Sequence, residues 1–144
     1  MRNITILFLS LLWNYPAISQ QVKLSYYEGQ WRAKNIDLVM VLKKGNYQPK
    51  QFDSSLSVLN GYYVLKGSPK EYHALETGVS FDSTVTFVTL DPVTNKVIHM
   101  KLKVDPGTPD IMKAILYPSP GIYVNVGDQQ KLTLPRAITF DKDK

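Results

Sequence analysis

Apolar and polar positions alternate along most of the chain, and no long stretch carries a helical period. The clearest run is VSFDSTVTFVTL, residues 79–90. Val79, Phe81, Val85 and Phe87 share one face, while Ser80, Asp82, Thr84 and Thr86 share the other. After the turn DPVTN (91–95), KVIHMKLKV alternates again. Ile98, Met100, Leu102 and Val104 point inward; His99, Lys101 and Lys103 point outward. Two alternating strands about a Pro/Asn turn predict an antiparallel β-hairpin. Its buried face is expected to carry Phe81, Val85, Phe87, Ile98, Met100 and Leu102.

The remaining segments read the same way. Residues 36–42 are apolar on both faces, as in a strand covered on both sides or lining a barrel. Residues 52–59 (FDSSLSVL) admit either a helical turn capped by Asp53 or plain loop. GYYVLKG (61–67) reads as a strand, SPK (68–70) as a turn, and EYHAL (71–75) as its hairpin partner. PGTPD (106–110) breaks the chain before IMKAILY (111–117), and PSPG (118–121) breaks it again before IYVNV (122–126). GDQQ (127–130) turns into a last strand, KLTLPRAITF (131–140), and the polar tail 141–144 is expected to fray. About eight short strands at regular spacing predict an all-β sandwich or barrel. An up-and-down antiparallel barrel or half-barrel is favoured over the sandwich, because a closed barrel leaves no strand edge open.

The first residues carry a different pattern. Arg2 gives a positive start, residues 4–13 an apolar run, and Ala17-Ile18-Ser19 a small-x-small cleavage site. The apolar run is about ten residues, half of the roughly 20 that a spanning helix needs. A signal peptide of residues 1–19 is therefore expected, with the mature chain beginning at Gln20. The rest, residues 20–144, has the size of one domain and is large enough for a core. The sequence holds no Cys, which excludes a disulfide framework and a thiolate metal site. An exported protein without disulfides relies on its core, which suits secretion or a bacterial periplasm.

Charge changes the picture little. With 17 Lys+Arg and 12 Asp+Glu the formal net charge is +5, but the lysines are scattered rather than clustered with aromatics. A nucleic-acid partner is therefore not expected. Mild attraction to anionic polysaccharide or lipid head groups is compatible with the balance.

Candidate chemistry is sparse. His73 and His99 are the only histidines, far too few for a zinc site that needs three or four convergent ligands. Ser54 and Ser55 lack a Gly-x-Ser-x-Gly elbow. Asp53, Asp91, Asp105, Asp110 and Asp128 sit beside turn residues, where Asp commonly bonds to the backbone rather than acting in a carboxylate pair. No phosphate-binding glycine loop is present. The residues thus read as those of a protein that is not an enzyme and carries no cofactor or metal. Nine tyrosines and two tryptophans are either ordinary strand residues or a surface for stacking on sugars. Two readings follow: an exported module binding a small apolar ligand or glycan, or a solid-cored interaction protein of the cell envelope.

Two resemblances sit on these residues. GQW, Gly29 to Trp31, resembles the lipocalin-type Gly-x-Trp ahead of a first long strand, where the tryptophan plugs one end of a barrel. YEGQW (27–31), VMVLKKG (39–45), SVLNGYYVLKG (57–67) and LTLPRAITFDK (132–142) together are similar to a family of small exported proteins of unknown function common in Bacteroidota. That resemblance implies a β-rich fold and an exported address, and no activity, cofactor or catalytic residue. In the last strand Leu132, Leu134, Arg136, Ile138 and Phe140 share one parity, so an arginine is threaded through an apolar face. If the first and last strands pair, Arg136 can stack on Trp31, as the lipocalin resemblance implies. The alternative is that Pro135 re-aims the strand and leaves Arg136 in solvent. Gly29, Trp31 and Arg136 are accordingly expected to be structural residues.

Overall fold

The computed structural model describes residues 23–48, 50–51, 56–80, 82–119 and 132–144. The expected signal peptide at residues 1–19, Phe81, the 52–55 stretch with Asp53, Ser54 and Ser55, and the segments 122–126 and 127–130 with Asp128 lie outside these residues. The architecture is all-β. After a single 3-10 turn, Leu24–Tyr26, come β1 (Gly29–Ala33), β2 (Leu38–Tyr47), β3 (Leu56–Leu65), β4 (Tyr72–His73), β5 (Glu76–Val79), β6 (Val85–Leu90), β7 (Val97–Asp105), β8 (Thr108–Pro118) and β9 (Ala137–Lys142). All nine belong to one antiparallel sheet in the order β4-β3-β2-β1-β9-β8-β7-β6-β5. The sheet curls into a half-barrel, so the sandwich is not adopted.

Period two explains the curl. Met40 and Leu42 on β2, Phe87 on β6, Met100 and Leu102 on β7, Met112 on β8 and Phe140 on β9 are all fully buried on the concave side. The alternate residues face outward, and β8 shows it cleanly: Met112, Ala114 and Leu116 are buried while Lys113, Ile115 and Tyr117 are exposed. Burying such a face against itself removes apolar surface from water at about 25 cal/mol per Å².

The expected hairpin about residues 91–95 is present, with Phe87 opposite Met100 and Leu90 opposite Val97. Asn95 turns through φ 56°, a conformation asparagine tolerates better than most residues. Val85, Phe87, Ile98, Met100 and Leu102 are buried as expected. The run 79–90, however, is not one strand. It folds back on itself as β5 and β6, with Val79 opposite Val85. The turn between them places Ser83 at φ 62°, donates Ser80 N–H to the Thr84 carbonyl, and leaves Val79 exposed while Thr84 is buried. Alternation survived the turn because its spacing happened to preserve parity for Val85 and Phe87.

Other boundaries also move. Gly-x-Trp forms a short strand of its own, β1, ahead of the long strand β2, which begins at Leu38 rather than at residue 36. Leu56 to Leu59 extend β3, which pairs with β2 from Leu38↔Leu65 to Tyr47↔Leu56. β4 pairs with β3 through Tyr62↔His73 and Tyr63↔Tyr72, as the hairpin reading of residues 71–75 expected. The last strand starts only after Pro135 and Arg136. It runs on to Lys142, so much of the tail expected to fray is strand.

The first and last strands do pair, with Trp31 opposite Lys142 and Ala33 opposite Phe140. That ladder lies in the middle of the sheet. The two sheet edges are β4 and β5, which are consecutive in sequence and separated only by Ala74 and Leu75. Ala74 N–H donates to Gly61 O on β3, and Leu75 N–H donates to Val88 O on β6. The chain hands its hydrogen bonds from one edge to the other within two residues. Edge exposure is kept short by this device.

Candidate functional site

Three places concentrate side chains that are not simple core: the Gly-x-Trp plug, the 90–94 turn, and the outer surface of β2–β4. The plug is fixed from several directions. Trp31 is fully buried, and its indole N–H donates to Tyr27 O at 2.8 Å. Tyr27 is buried too; its hydroxyl lies 3.3 Å from Ser83 O and accepts from Val104 N–H at 3.3 Å. Burial pushes the Tyr27 phenol above its ordinary pKa. Above the Trp31 ring sits Lys142 Nζ, 5.0 Å from the centroid, which also donates to Tyr26 O at 3.4 Å.

This geometry accounts for the glycine. Gly29 has φ +130°, and a Cβ built there would lie 2.8 Å from Lys142 Cε. A side chain at position 29 would therefore be strained and would displace the lysine that covers the indole. The expected cation of the plug was Arg136. Arg136 instead precedes β9 and is exposed, the outcome that adjacent Pro135 favours. Its role passes to Lys142, which lies opposite Trp31 in the β1–β9 ladder. Position in the register, not parity along the strand, selects the partner. Lys142 was not found in the sequence because the tail read as frayed.

The 90–94 turn gathers contacts from distant segments. Asp91 is almost wholly buried and accepts from Val93 N–H, Thr94 N–H, Thr133 N–H and the Thr133 hydroxyl, the last at 2.7 Å. Burial pushes its carboxyl upward, but the bonds from Thr133, Thr94 and Val93 outweigh that and hold its pKa below the ordinary value. The Tyr63 hydroxyl donates to Leu90 O at 2.5 Å and Tyr72 donates to Pro92 O at 3.2 Å; their rings stack with centroids 4.7 Å apart. Burial drives the Tyr63 phenol well above its usual range. Asp91 therefore acts on the backbone, as the turn pattern implied. Asp105 does likewise, accepting Gly107 N–H at 2.9 Å.

The outer surface of β2–β4 holds a groove of about 340 Å³ lined by Val41, Lys43, Asn60, Gly61, Tyr62, His73 and Ala74. The register builds it: Val41 faces Tyr62, Lys43 faces Asn60, and Tyr62 faces His73 across successive strands. The Tyr62 and His73 rings lie 5.2 Å apart, tilted by 48°. His73 Nε2 is 2.9 Å from Glu71 Oε2, which fixes the imidazole. A second cleft, about 180 Å³, lies between β3 and β5 and is lined by Leu24, Leu59, Val79 and Val85 among others. The second histidine, His99, stacks on Tyr117 at 5.4 Å and lies 3.3 Å from Ser119 Oγ. Among the described residues no group of three or more His, Cys, Asp or Glu could hold a metal ion, and no helix is long and apolar enough to cross a membrane.

Among the described residues the fold is thus a half-barrel of nine antiparallel strands with its plug where β1 pairs with β9. In comparisons with protein-family models, curated proteins and solved structures, nothing matches the chain.

Proposed function

We propose that the protein is an exported, non-catalytic binding module that recognises its ligand on the outside of the half-barrel. The observation that carries this reading is the packing of the concave side. Trp31, Tyr63, Phe87, Phe140, Met40 and Met100 meet there with no exposed surface, so recognition falls to the outer face. The β3–β5 cleft is apolar, but at about 180 Å³ it is smaller than the roughly 300–1,000 Å³ usual for small-molecule sites. A glycan on the outer groove, where the Tyr62 and His73 rings lie 5.2 Å apart, fits better than an apolar ligand inside. Export is supported by Arg2, the short apolar run and Ala17-Ile18-Ser19, and the resemblance to small exported Bacteroidota proteins points to a secreted or periplasmic address.

Native mass spectrometry of the exported protein tests this reading. The expected result is a chain starting at Gln20, free of hydrophobic ligand, that acquires mass when mixed with glycan fragments. A chain starting at Met1 in the membrane fraction overturns the exported address. A stoichiometric apolar ligand that survives purification overturns the outer-face reading.

The alternative of an interaction protein docking an envelope partner draws on one specific feature. Leu75 and Val79, at and beside β5, are 59% and 55% exposed at a sheet edge, where a partner strand can add.

A further inference from the structure

We propose that the groove on the outer surface of β2–β4 binds a carboxylate-bearing sugar, a uronic-acid unit of an acidic glycan. This rests on the reading above that recognition lies on the outer face. The groove's volume of about 340 Å³ falls at the lower end of small-molecule sites, the size class of one or two sugar rings rather than of a peptide segment or a nucleic-acid strand. Its residues supply the three kinds of contact a uronate requires.

The first contact is a stacking surface. Tyr62 and His73, held by cross-strand pairing and tilted at 48°, present ring faces to the C–H side of a sugar. Glu71 fixes the imidazole at 2.9 Å, and the small Ala74 keeps the surroundings low. The second is an amide that both donates and accepts toward hydroxyls. Asn60 lies over Gly45, where a Cβ would come within 2.7 Å of Asn60 Nδ2. The missing side chain at position 45 therefore makes room for that amide.

The third contact is a cation. Lys43 stands directly opposite Asn60 and, unlike Arg32, Lys34, Lys66 and Lys101, makes no ion pair among the described residues. A lone ammonium beside an amide and an aromatic face suits a single carboxylate. It is a poor match for a phosphodiester chain, which would need a run of cations. Without Arg2 the formal net charge is 16 − 12, or +4, which favours approach of a polyanion. Glu71, beside the groove, is engaged by His73 at 2.9 Å.

Calorimetry at low salt with a short oligogalacturonate, against a neutral galacto-oligosaccharide of equal length, tests the inference on the exported protein. The oligogalacturonate is expected to bind at least about tenfold more tightly, the worth of one charge-assisted hydrogen bond. Lys43→Gln should remove about that tenfold, and Tyr62→Leu should weaken both sugars, with melting curves confirming that each variant is folded. Lys103→Gln, on β7, should leave affinity unchanged. Equal loss in Lys43→Gln and Lys103→Gln overturns the inference in favour of diffuse charge attraction. Tight binding unaffected by Lys43→Gln or Tyr62→Leu overturns the site while leaving outer-face glycan recognition standing. No binding of either sugar overturns the inference together with glycan recognition.

Discussion

The half-barrel is joined in two ways, and the joints use different physics. Where β1 meets β9, the chain's two ends form a regular ladder, overlaid by groups in or near solvent. Arg32 and Gln30 both reach Asp143, and Lys34 pairs with Asp141 at 3.1 Å. Surface ion pairs of this kind contribute little and are screened by salt. The buried part of that joint is the Trp31–Lys142 plug. Where β4 passes into β5 there is almost no ladder, only the hand-over at Ala74 and Leu75. Buried hydroxyls replace it: Tyr63 to Leu90 O, Tyr72 to Pro92 O, and Thr89 to His73 O at 2.9 Å. A ladder spreads its hydrogen bonds over many residues. A seam concentrates them on a few side chains, so losing one hydrogen bond there should open the seam locally while leaving the ladder closed.

The largest expected effect falls on the core beside the seam. Phe87 is fully buried, with Met100 opposite on β7 and Thr77 opposite on β5. Phe87→Ala should cost about 3–5 kcal/mol, read as a lowered denaturant midpoint with an unchanged slope. A loss below about 1 kcal/mol would mean the packing there is loose. At the plug, Gly29→Ala should cost about 1–3 kcal/mol from backbone strain and steric conflict with Lys142. In a Lys142→Ala background the conflict disappears and the strain remains. If Gly29→Ala is neutral in both backgrounds, the glycine is not what shapes the plug.

The 90–94 turn sharpens the comparison through pH. Asp91 titrates below its unfolded value, so its stabilisation is fully present above about pH 4 and is lost as pH falls through the lower folded value. Asp91→Asn should cost about 1.5–3 kcal/mol at neutral pH, since it weakens bonds to a charged acceptor, and should flatten the acid limb of a stability–pH curve. Asp82, held at about 2 by Lys101 and the Thr84 hydroxyl, titrates in the same direction at the surface and should contribute a salt-sensitive remainder. The smallest effect expected is Tyr63→Phe, about 1 kcal/mol for one hydrogen bond removed. Hydrogen exchange should show it as faster opening of β4 and β5 with β1 and β9 unchanged. Equal acceleration in both places would show that the two joints open as one unit.

Much of the fold was legible in the residues. The 91–95 hairpin, the pairing of residues 61–67 with 71–75, and the inward set of β7 follow from alternation and turn chemistry, both of which are local. The break of residues 79–90 into two strands was missed because Ser80, Asp82 and Thr84 read equally well as the polar face of one strand. Gly29 and Trp31 were visible as a plug; the groove of Lys43, Asn60, Tyr62 and His73 was not. Those four lie on three strands and become neighbours only through register.

Alternation in the sequence by itself determined that the protein is an antiparallel all-β domain and which face of most strands is buried, because a strand's side chains alternate whatever it pairs with. The tertiary structure decided where the sheet closes, which cation covers Trp31, and which residues share the outer groove. These depend on which strands lie side by side and in what register, and a shift of two residues keeps every parity while changing every neighbour. Arg136 and Lys142 share the parity of Phe140, and only the ladder that sets Lys142 opposite Trp31 distinguishes them.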